Sequence, residues 1–369
     1  MSNRNKNFLS RLDLWLIFST LFTFAIGLVA IASCAQSLGS HRFIIIQIAA
    51  FFIGAVLLVL IVRTDYDLFG QLGVVIYIVS ALMLLVVLFI GTGSEEVGTK
   101  GWIRFGSIGI QPSEIAKIGF IISFAKHIDA VREDINRPGV LVLLCLHAGL
   151  LIGLILLQPD LGTALVFTVI FLGMLFVGGL SLKYFAVAGG ILAVLAPLSW
   201  FFLLKDFQKN RILTFLNPEM DPLGSGYHVI QSKIAIGSGG VFGRGIGQGI
   251  QTQYSYLPEK QTDFIFAVIG EEMGMWGCIL VLTLFLVMII RCFIVASQSR
   301  DHFGELLSAG VGFMLIAHVF ESLGMCLGLL PVTGIPLPFI SYGGSNMIAS
   351  LLAVALVLNV HLRRKRIQF

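Results

Sequence analysis

Ten apolar runs, each of about 20 residues, constrain this chain more tightly than any other feature. They fall near residues 13–35, 41–62, 71–92, 112–129, 138–157, 161–181, 183–204, 263–290, 304–330 and 341–361. A run of that length, wound as a helix, crosses the hydrocarbon core of a bilayer. In that solvent every backbone N–H and C=O has to be satisfied within the segment, which an α-helix does. Hydrophobic residues make up 57% of the chain and charged residues 12%, more apolar surface than a water-soluble domain can cover. The sequence therefore predicts an all-α polytopic membrane protein with ten transmembrane helices, forming a single integral membrane domain over residues 1–369. The first run is too long for a signal-peptide core and is expected to stay in the membrane.

Positive charge orients the spans. Arg4, Lys6 and Arg11 precede the first. Lys126, Arg132 and Arg137 flank the connection between the fourth and fifth. Arg291 and Arg300 lie between the eighth and ninth, and His361-Leu-Arg-Arg-Lys-Arg366 closes the chain. With ten spans all of these share one side, the cytoplasm, together with both termini. The net charge of +4 thus argues orientation and not nucleic-acid binding. The opposite side receives residues 93–111, the Gln158-Pro159-Asp160 turn, a large extracytoplasmic loop at about 205–262 between helices 7 and 8, and residues 331–340.

A charged side chain at the lip of an apolar helix is expensive unless it is paired or put to use. Gln111-Pro-Ser-Glu114-Ile-Ala-Lys117 opens the fourth run. Pro112 suits a first helical turn, and Glu114 and Lys117 share one face three residues apart. A local ion pair and a substrate-facing pair both fit. Asp160 opens the sixth run, where the macrodipole favours an acid; capping and site-lining stand level. Asp263 follows Thr262 at the start of the eighth run. Either residue fits an N-cap. Asp263 equally fits a general base at the membrane lip, in reach of a hydroxyl on a substrate that is half lipid and half water-soluble.

Other residues carry weaker signals. Glu271 and Glu272 lie about 12–14 Å deeper along the same helix and suit either packing or substrate contact. His318 and Glu321 share a face of the ninth run, where an interhelical hydrogen bond is the simpler reading. Arg104, Arg211, Lys233 and Arg244 in the outer loops are solvated cations or clamps for lipid phosphates. Trp102 is an interface anchor or a stacking platform for a sugar. The five cysteines, in apolar runs without CxxC spacing, read as buried single thiols. No zinc-spaced array occurs. The glycine-rich stretch Gly237–Gly249 lacks the strand–turn–helix context of a nucleotide site. Residues 226–235 before it are expected to form a short helix lying on the membrane surface.

Gly334-Ile-Pro-Leu-Pro-Phe-Ile-Ser-Tyr-Gly-Gly-Ser345 is a proline-rich break that runs into the last span. Irregular backbone there has to line a cavity or be covered by protein. The segment strongly resembles the signature of the shape, elongation, division and sporulation family. Gly101-Trp-Ile-Arg-Phe-Gly106, Gln111–Lys117, Gln158-Pro-Asp-Leu-Gly-Thr163, Asp221–His228 with Gln231–Gly240, and Leu257-Pro-Glu-Lys-Gln-Thr-Asp-Phe-Ile-Phe266 match in order, so the likeness covers essentially the whole chain. The short tails and the long loop are most similar to the cell-elongation branch, with the division and sporulation branches as alternatives.

The resemblance implies a peptidoglycan glycosyltransferase of the bacterial cytoplasmic membrane, polymerising lipid II on the outer face. It implies that Asp263 is the essential acid and that Glu114, Lys117 and Asp160 are important lip positions. It implies a class B penicillin-binding protein (a transpeptidase) as partner, within machinery that includes MreC and MreD. Lys117 and loop cations such as Arg211 or Lys233, aided by a divalent cation (Mg or Mn), are expected to stabilise a departing pyrophosphate. A lipid II flippase is the alternative from another class, and a non-catalytic scaffold is a third.

Overall fold

A computed structural model describes residues 12–93, 101–105, 108–202, 209, 213–215, 217 and 224–364. Within them a helix falls in each of the ten apolar windows. In chain order these are α1 (Leu14–Leu38), α2 (Arg42–Arg63), the short α3 (Tyr66–Gln71), α4 (Gly73–Ile90), α5 (Pro112–Ala130), α6 (Pro138–Leu157), α7 (Leu161–Val177), α8 (Leu182–Phe202), α9 (Ser225–Gly239), the single turn α10 (Ile250–Gln253), α11 (Ile265–Ser297), α12 (His302–Leu327) and α13 (Gly344–Leu362). A small antiparallel hairpin, β1 (Ile103–Phe105) and β2 (Ile108–Ile110), precedes α5 and pairs Arg104 with Gly109.

Seven of these helices are long and apolar enough to cross a membrane. Of the others in the windows, α7 has 17 residues and α5 carries Glu114, Lys117, Lys126 and Asp129. Local sequence sets their ends. Asp13 caps α1 by accepting from the Leu16 amide at 3.1 Å, and Gly39 closes it in the left-handed conformation. Pro112 and Pro138 open α5 and α6, where a missing N–H costs nothing. Asp301 caps α12 through the Gly304 amide at 2.7 Å.

Burial sorts the helices into a centre and a rim. In the apolar window of α13, 83% of residues are buried, against 17% in that of α2. Helix α12 is the axle: it packs on α5, α7, α11 and α13. The rim helices α2, α4 and α6 turn Val, Leu, Ile and Phe outward, as lipid-facing surfaces do. Small residues allow close approach at the centre. A Cβ on Gly119 of α5 would lie 2.1 Å from Ser80 Oγ of α4.

Two features add to the sequence reading or depart from it. Helix α9 forms where a short helix is expected, with one face exposed and the other covered by protein. It packs against α11 and α12, with Ser232 and Ala235 fully buried and the Ser232 hydroxyl donating to the Cys326 carbonyl at 2.7 Å. The five cysteines are free, but Cys145 is exposed. An apolar rim helix offers a thiol no interior to enter.

Helix α11 breaks at Gly274, whose φ is +64°. The groups freed by the break are taken up by the glycine-rich stretch. The Arg244 and Gly245 amides donate to the Glu271 and Glu272 carbonyls at 2.9 and 3.0 Å, and the Met275 amide donates to the Gly240 carbonyl at 3.0 Å. The glycines permit this backbone-on-backbone contact. A Cβ on Gly243 would meet the Glu272 carbonyl oxygen at 2.2 Å.

Candidate active site

Asp263, Glu114, Lys117 and Asp160 converge at one end of the bundle, and the proline-rich segment 331–343 ties them together. Its backbone at Phe339 and Ile340 dips in against Gly27, where a Cβ would lie 2.5 Å from Ile340 Cα. Gly27 is 12 residues from the α1 cap, so the dip reaches roughly 18 Å down that helix. On the way, the strap passes Asp263 at Gly334, the start of α7 at Gly162 and, at Pro336, the His318 that meets Lys117.

Asp263 sits half-buried on the last turn before α11. The amides of Thr262, Asp263 and Phe264 all donate to the Glu259 carbonyl, at 3.2, 3.1 and 3.3 Å. Glu259 itself has φ +44°, a conformation an ordinary residue adopts only when its surroundings impose it. The Ser341 hydroxyl donates to the Thr262 carbonyl at 2.6 Å, pinning the turn to the strap. A Cβ on Gly334, whose φ is +74°, would come 3.4 Å from Asp263 Oδ2, so the strap runs directly beside the carboxylate. Asp263 does not cap α11: Phe264 holds the cap position and no side chain bonds there. Burial, joined by the negative charge of Glu259 and opposed by Thr262, pushes the carboxyl up to about 7. The ionised state expected of a helix-terminal acid is therefore not imposed here.

Lys117 and Glu114 form a buried ion pair at 2.8 Å, with side chains 1% and 2% exposed. Lys117 Nζ also lies 2.6 Å from His318 Nε2, while His318 Nδ1 lies 3.1 Å from the Pro336 carbonyl. An ammonium can only donate, so Nε2 accepts and the ring hydrogen sits on Nδ1, donating to Pro336. Lys117 thus commits two of its three N–H groups inside the protein. Asp160 caps α7: Oδ1 accepts from the Thr163 amide at 3.0 Å and Oδ2 from its hydroxyl at 2.7 Å.

The outer cations are placed differently. Arg104 is exposed on β1, and Lys233 is exposed on α9; neither forms an ion pair among the described residues. The end of the Lys233 side chain reaches the α12 terminus, where a Cβ on Gly328 would touch Nζ at 2.6 Å. Helix carbonyls converge there and favour a cation. Arg211 lies outside the described residues. Arg244 holds Ser238 through its carbonyl and hydroxyl. Trp102 joins Thr92 in a β-bridge and packs its ring on Gly109.

Glu271 and Glu272 serve the local architecture. Glu271 accepts from the Gln251 and Thr252 amides at 2.7 and 3.0 Å and from the Thr252 hydroxyl at 2.8 Å. Glu272 accepts from the Ser33 hydroxyl at 2.5 Å. Lys260 was not singled out by the sequence. It is 2% exposed and donates to Ser37 Oγ, the Thr252 carbonyl and Ser255 Oγ at 2.7, 2.5 and 3.0 Å. Burial pulls its ammonium below the usual lysine range, against Cys34, Glu271 and Glu272, which pull it back. Three acceptors saturate it, so it anchors the Asp263 turn to α1. Only its position three residues before Asp263 hinted at this.

No group of three metal-ligating side chains occurs among the described residues. A cation held here would need substrate phosphate oxygens and water beside one or two carboxylates, the usual manner for Mg²⁺.

A family model described as a cell cycle protein (FTSW_RODA_SPOVE) matches residues 10–366. The chain belongs to this family. It is 38% identical over 341 residues to the peptidoglycan glycosyltransferase MrdB of Escherichia coli, covering 92% of this chain and 90% of that one. Its structure superposes on the Thermus thermophilus rod shape determining protein RodA with TM-score 0.72 at 29% identity, over 98% and 99% of the two chains. It also superposes on a chain of a peptidoglycan synthase complex that coordinates polymerisation and crosslinking, with TM-score 0.81 at 31% identity, over 95% and 97%.

Proposed function

We infer that this chain is a peptidoglycan glycosyltransferase that polymerises lipid II into β-1,4 glycan strands during cell elongation. The family membership and the E. coli relative's activity support the reaction class. The observation that carries the mechanism is Asp263: a half-buried carboxyl on the turn before α11, pushed up to about 7, with the strap at Gly334 beside it. A general base works best when its pKa lies near the working pH.

In this reading the growing strand on its lipid pyrophosphate is the donor and lipid II the acceptor. The acceptor's sugar 4-hydroxyl attacks the donor's anomeric carbon and gives its proton to Asp263. The bond to pyrophosphate breaks with inversion. One essential carboxylate suffices, because pyrophosphate leaves without needing a proton, unlike the leaving groups that paired-carboxylate glycosidases protonate. Arg104 and Lys233, exposed and free of ion pairs among the described residues, are the cations left to meet the pyrophosphate; Arg211 is a further candidate from sequence. Lys117, spent on Glu114 and His318, orders the site. A divalent cation would be held here by pyrophosphate oxygens and water beside one or two carboxylates, and would supply charge neutralisation at the leaving group.

The remaining expectations join this proposal. All ten windows cross the bacterial cytoplasmic membrane, with both termini inside and Asp263 outside. A class B penicillin-binding protein crosslinks the product, as the resemblance to a chain of a synthase complex supports, and MreC and MreD complete the assembly. A flippase reading would draw on the broken helix α11, since broken helices mark transporter sites. Here the Glu271 and Glu272 carbonyls and the Met275 amide at the break are bonded to residues 240–245, which speaks against a cargo site there.

The test is glycan polymerisation from lipid II by the purified protein with its transpeptidase partner, comparing wild type with Asp263→Asn. Product from the variant at the wild-type rate would overturn the base assignment. Lipid II translocation in proteoliposomes without glycan product would replace the function.

A further inference from the structure

The mechanism leaves one buried acid unused. Glu321 lies one turn from His318 on α12, is 1% exposed, and has no hydrogen-bond partner at either carboxyl oxygen. Lys117 and Asp160 are its charged neighbours, and the Thr333 hydroxyl of the strap approaches its carboxyl without closing a hydrogen bond of normal geometry. The Thr333 hydroxyl is also buried without a partner. Above them, among the described residues, the amides of Val332, Thr333, Gly334 and Ile335 make no hydrogen bond, whereas Leu329, Leu330 and Leu337 on either side do. Gly334 in the same stretch faces Asp263. A polar group buried this way costs free energy unless something supplies its partner, and a stable bundle gains nothing by keeping one.

We propose that Glu321 and Thr333 form a subsite for the sugar head group of the lipid-linked substrate, reached when residues 332–335 shift. The assignment rests on the glycosyltransferase reading above. A buried carboxyl and a hydroxyl together donate and accept hydrogen bonds, so their partner is a group rich in hydroxyls and amides. A pyrophosphate is disfavoured by charge: Glu114 and Asp160 outnumber Lys117, and a further anion at that point would be repelled. The strap then links the two tasks: Thr333 on one side with the sugar, Gly334 on the other beside the base.

The test separates a binding residue from a packing residue by sign. Glu321→Leu removes an unpaired buried acid, so it raises the melting temperature by about 2 °C or more. It also raises KM for lipid II about 10- to 100-fold, the cost of leaving a buried sugar hydroxyl or amide without its partner, and leaves kcat within about twofold. Glu321→Gln, which keeps the shape and one acceptor, restores most of the KM. Thermal shift against undecaprenyl pyrophosphate, which has the lipid and phosphates but no sugar, is the same for wild type and Glu321→Leu. An unchanged KM in Glu321→Leu, a lowered melting temperature, or equal loss of binding to both lipids each overturns the subsite. If wild type itself makes no glycan, the functional reading fails instead. The melting temperatures and the binding to undecaprenyl pyrophosphate still report on Glu321.

Discussion

Asp301 and Asp263 each precede a long helix at opposite ends of the bundle, and the bundle treats them in opposite ways. Asp301 caps α12, accepts from the Tyr66 hydroxyl at 2.6 Å and pairs with Arg300 at 2.9 Å. Burial alone would raise its carboxyl, yet these donors hold it below the usual range. Asp263 has no cap to make and, among the described residues, no cation paired with it, and its carboxyl rises to about 7. The same contrast extends around each acid. At the Asp301 end, Asp13 pairs with Arg291 at 2.5 Å, Arg363 with Asp65 at 3.5 Å, and Arg300 with Asp67. At the Asp263 end, the acids outnumber their paired cation and Glu321 has no hydrogen-bond partner. A saturated charge network holds helices in register. A starved one keeps its free energy available for a ligand.

The sharpest way to break this comparison is to neutralise each aspartate. Asp263→Asn lowers polymerisation by about 100- to 10,000-fold, the usual worth of a general base. The sign of its stability effect follows from the raised carboxyl. The neutral acid is favoured in the fold, so stability is full below about pH 4 and lost as pH rises through about 7. Asp263→Asn therefore melts higher than wild type at pH 8 and level with it near pH 4. Asp301, with its lowered carboxyl, behaves in reverse: its stability is present above about pH 4 and lost as pH falls below that. A melting curve in which Asp263→Asn is the less stable protein at pH 8 would place both acids in one class.

Next in size is the buried pair. Lys117→Met leaves Glu114 unpaired in the interior and costs about 3–5 kcal/mol, whereas adding Glu114→Gln recovers most of it. Urea or thermal unfolding of the two variants reads this out. A double variant as unstable as the single would mean that His318, and not Glu114, is the partner that matters.

How much of this was legible in the sequence follows the physics of each signal. The windows marked every long helix because apolar length is a local property. Pro112 and Asp160 gave correct helix starts because capping is also local. Asp263 misled on capping, since the turn fixed by Glu259 delays α11 to Ile265. For residues 226–235 the sequence marked the helix, but which partners cover its inner face, α11 and α12, is not a local property. The glycines of 237–249 made sense only once Gly274 was seen to break its helix 25 residues or more away. Lys260 and Glu321 depend on partners, present or missing, that are distant in sequence, and no spacing rule reaches them.

A third measurement isolates the structural end. Asp13→Asn weakens the contact to Arg291 and lengthens the 3.7 Å approach of His361, while an amide still caps α1. Arg291 is 22% exposed, so water takes part of its charge and the cost is about 2 kcal/mol, below that of the Lys117 change. Polymerisation per folded molecule stays within about twofold. A large loss of kcat here would mean that the two ends are coupled through α1 and α11.

The smallest effect tests the cause assigned to Asp263. With Asp263 as base, kcat/KM falls about tenfold per unit as pH drops below about 7. Glu259 lies on the same turn and its negative charge is the second cause of the raised carboxyl, after burial. Glu259→Gln removes that charge while the Glu259 carbonyl goes on accepting the three amides that shape the turn. The acid limb of the profile then moves to lower pH, and the plateau rate changes little. Asp301→Asn, at the far end, leaves the limb where it is. A limb that stays fixed in Glu259→Gln, or moves up, would leave burial as the whole cause and remove Glu259 from the set of residues that tune the base.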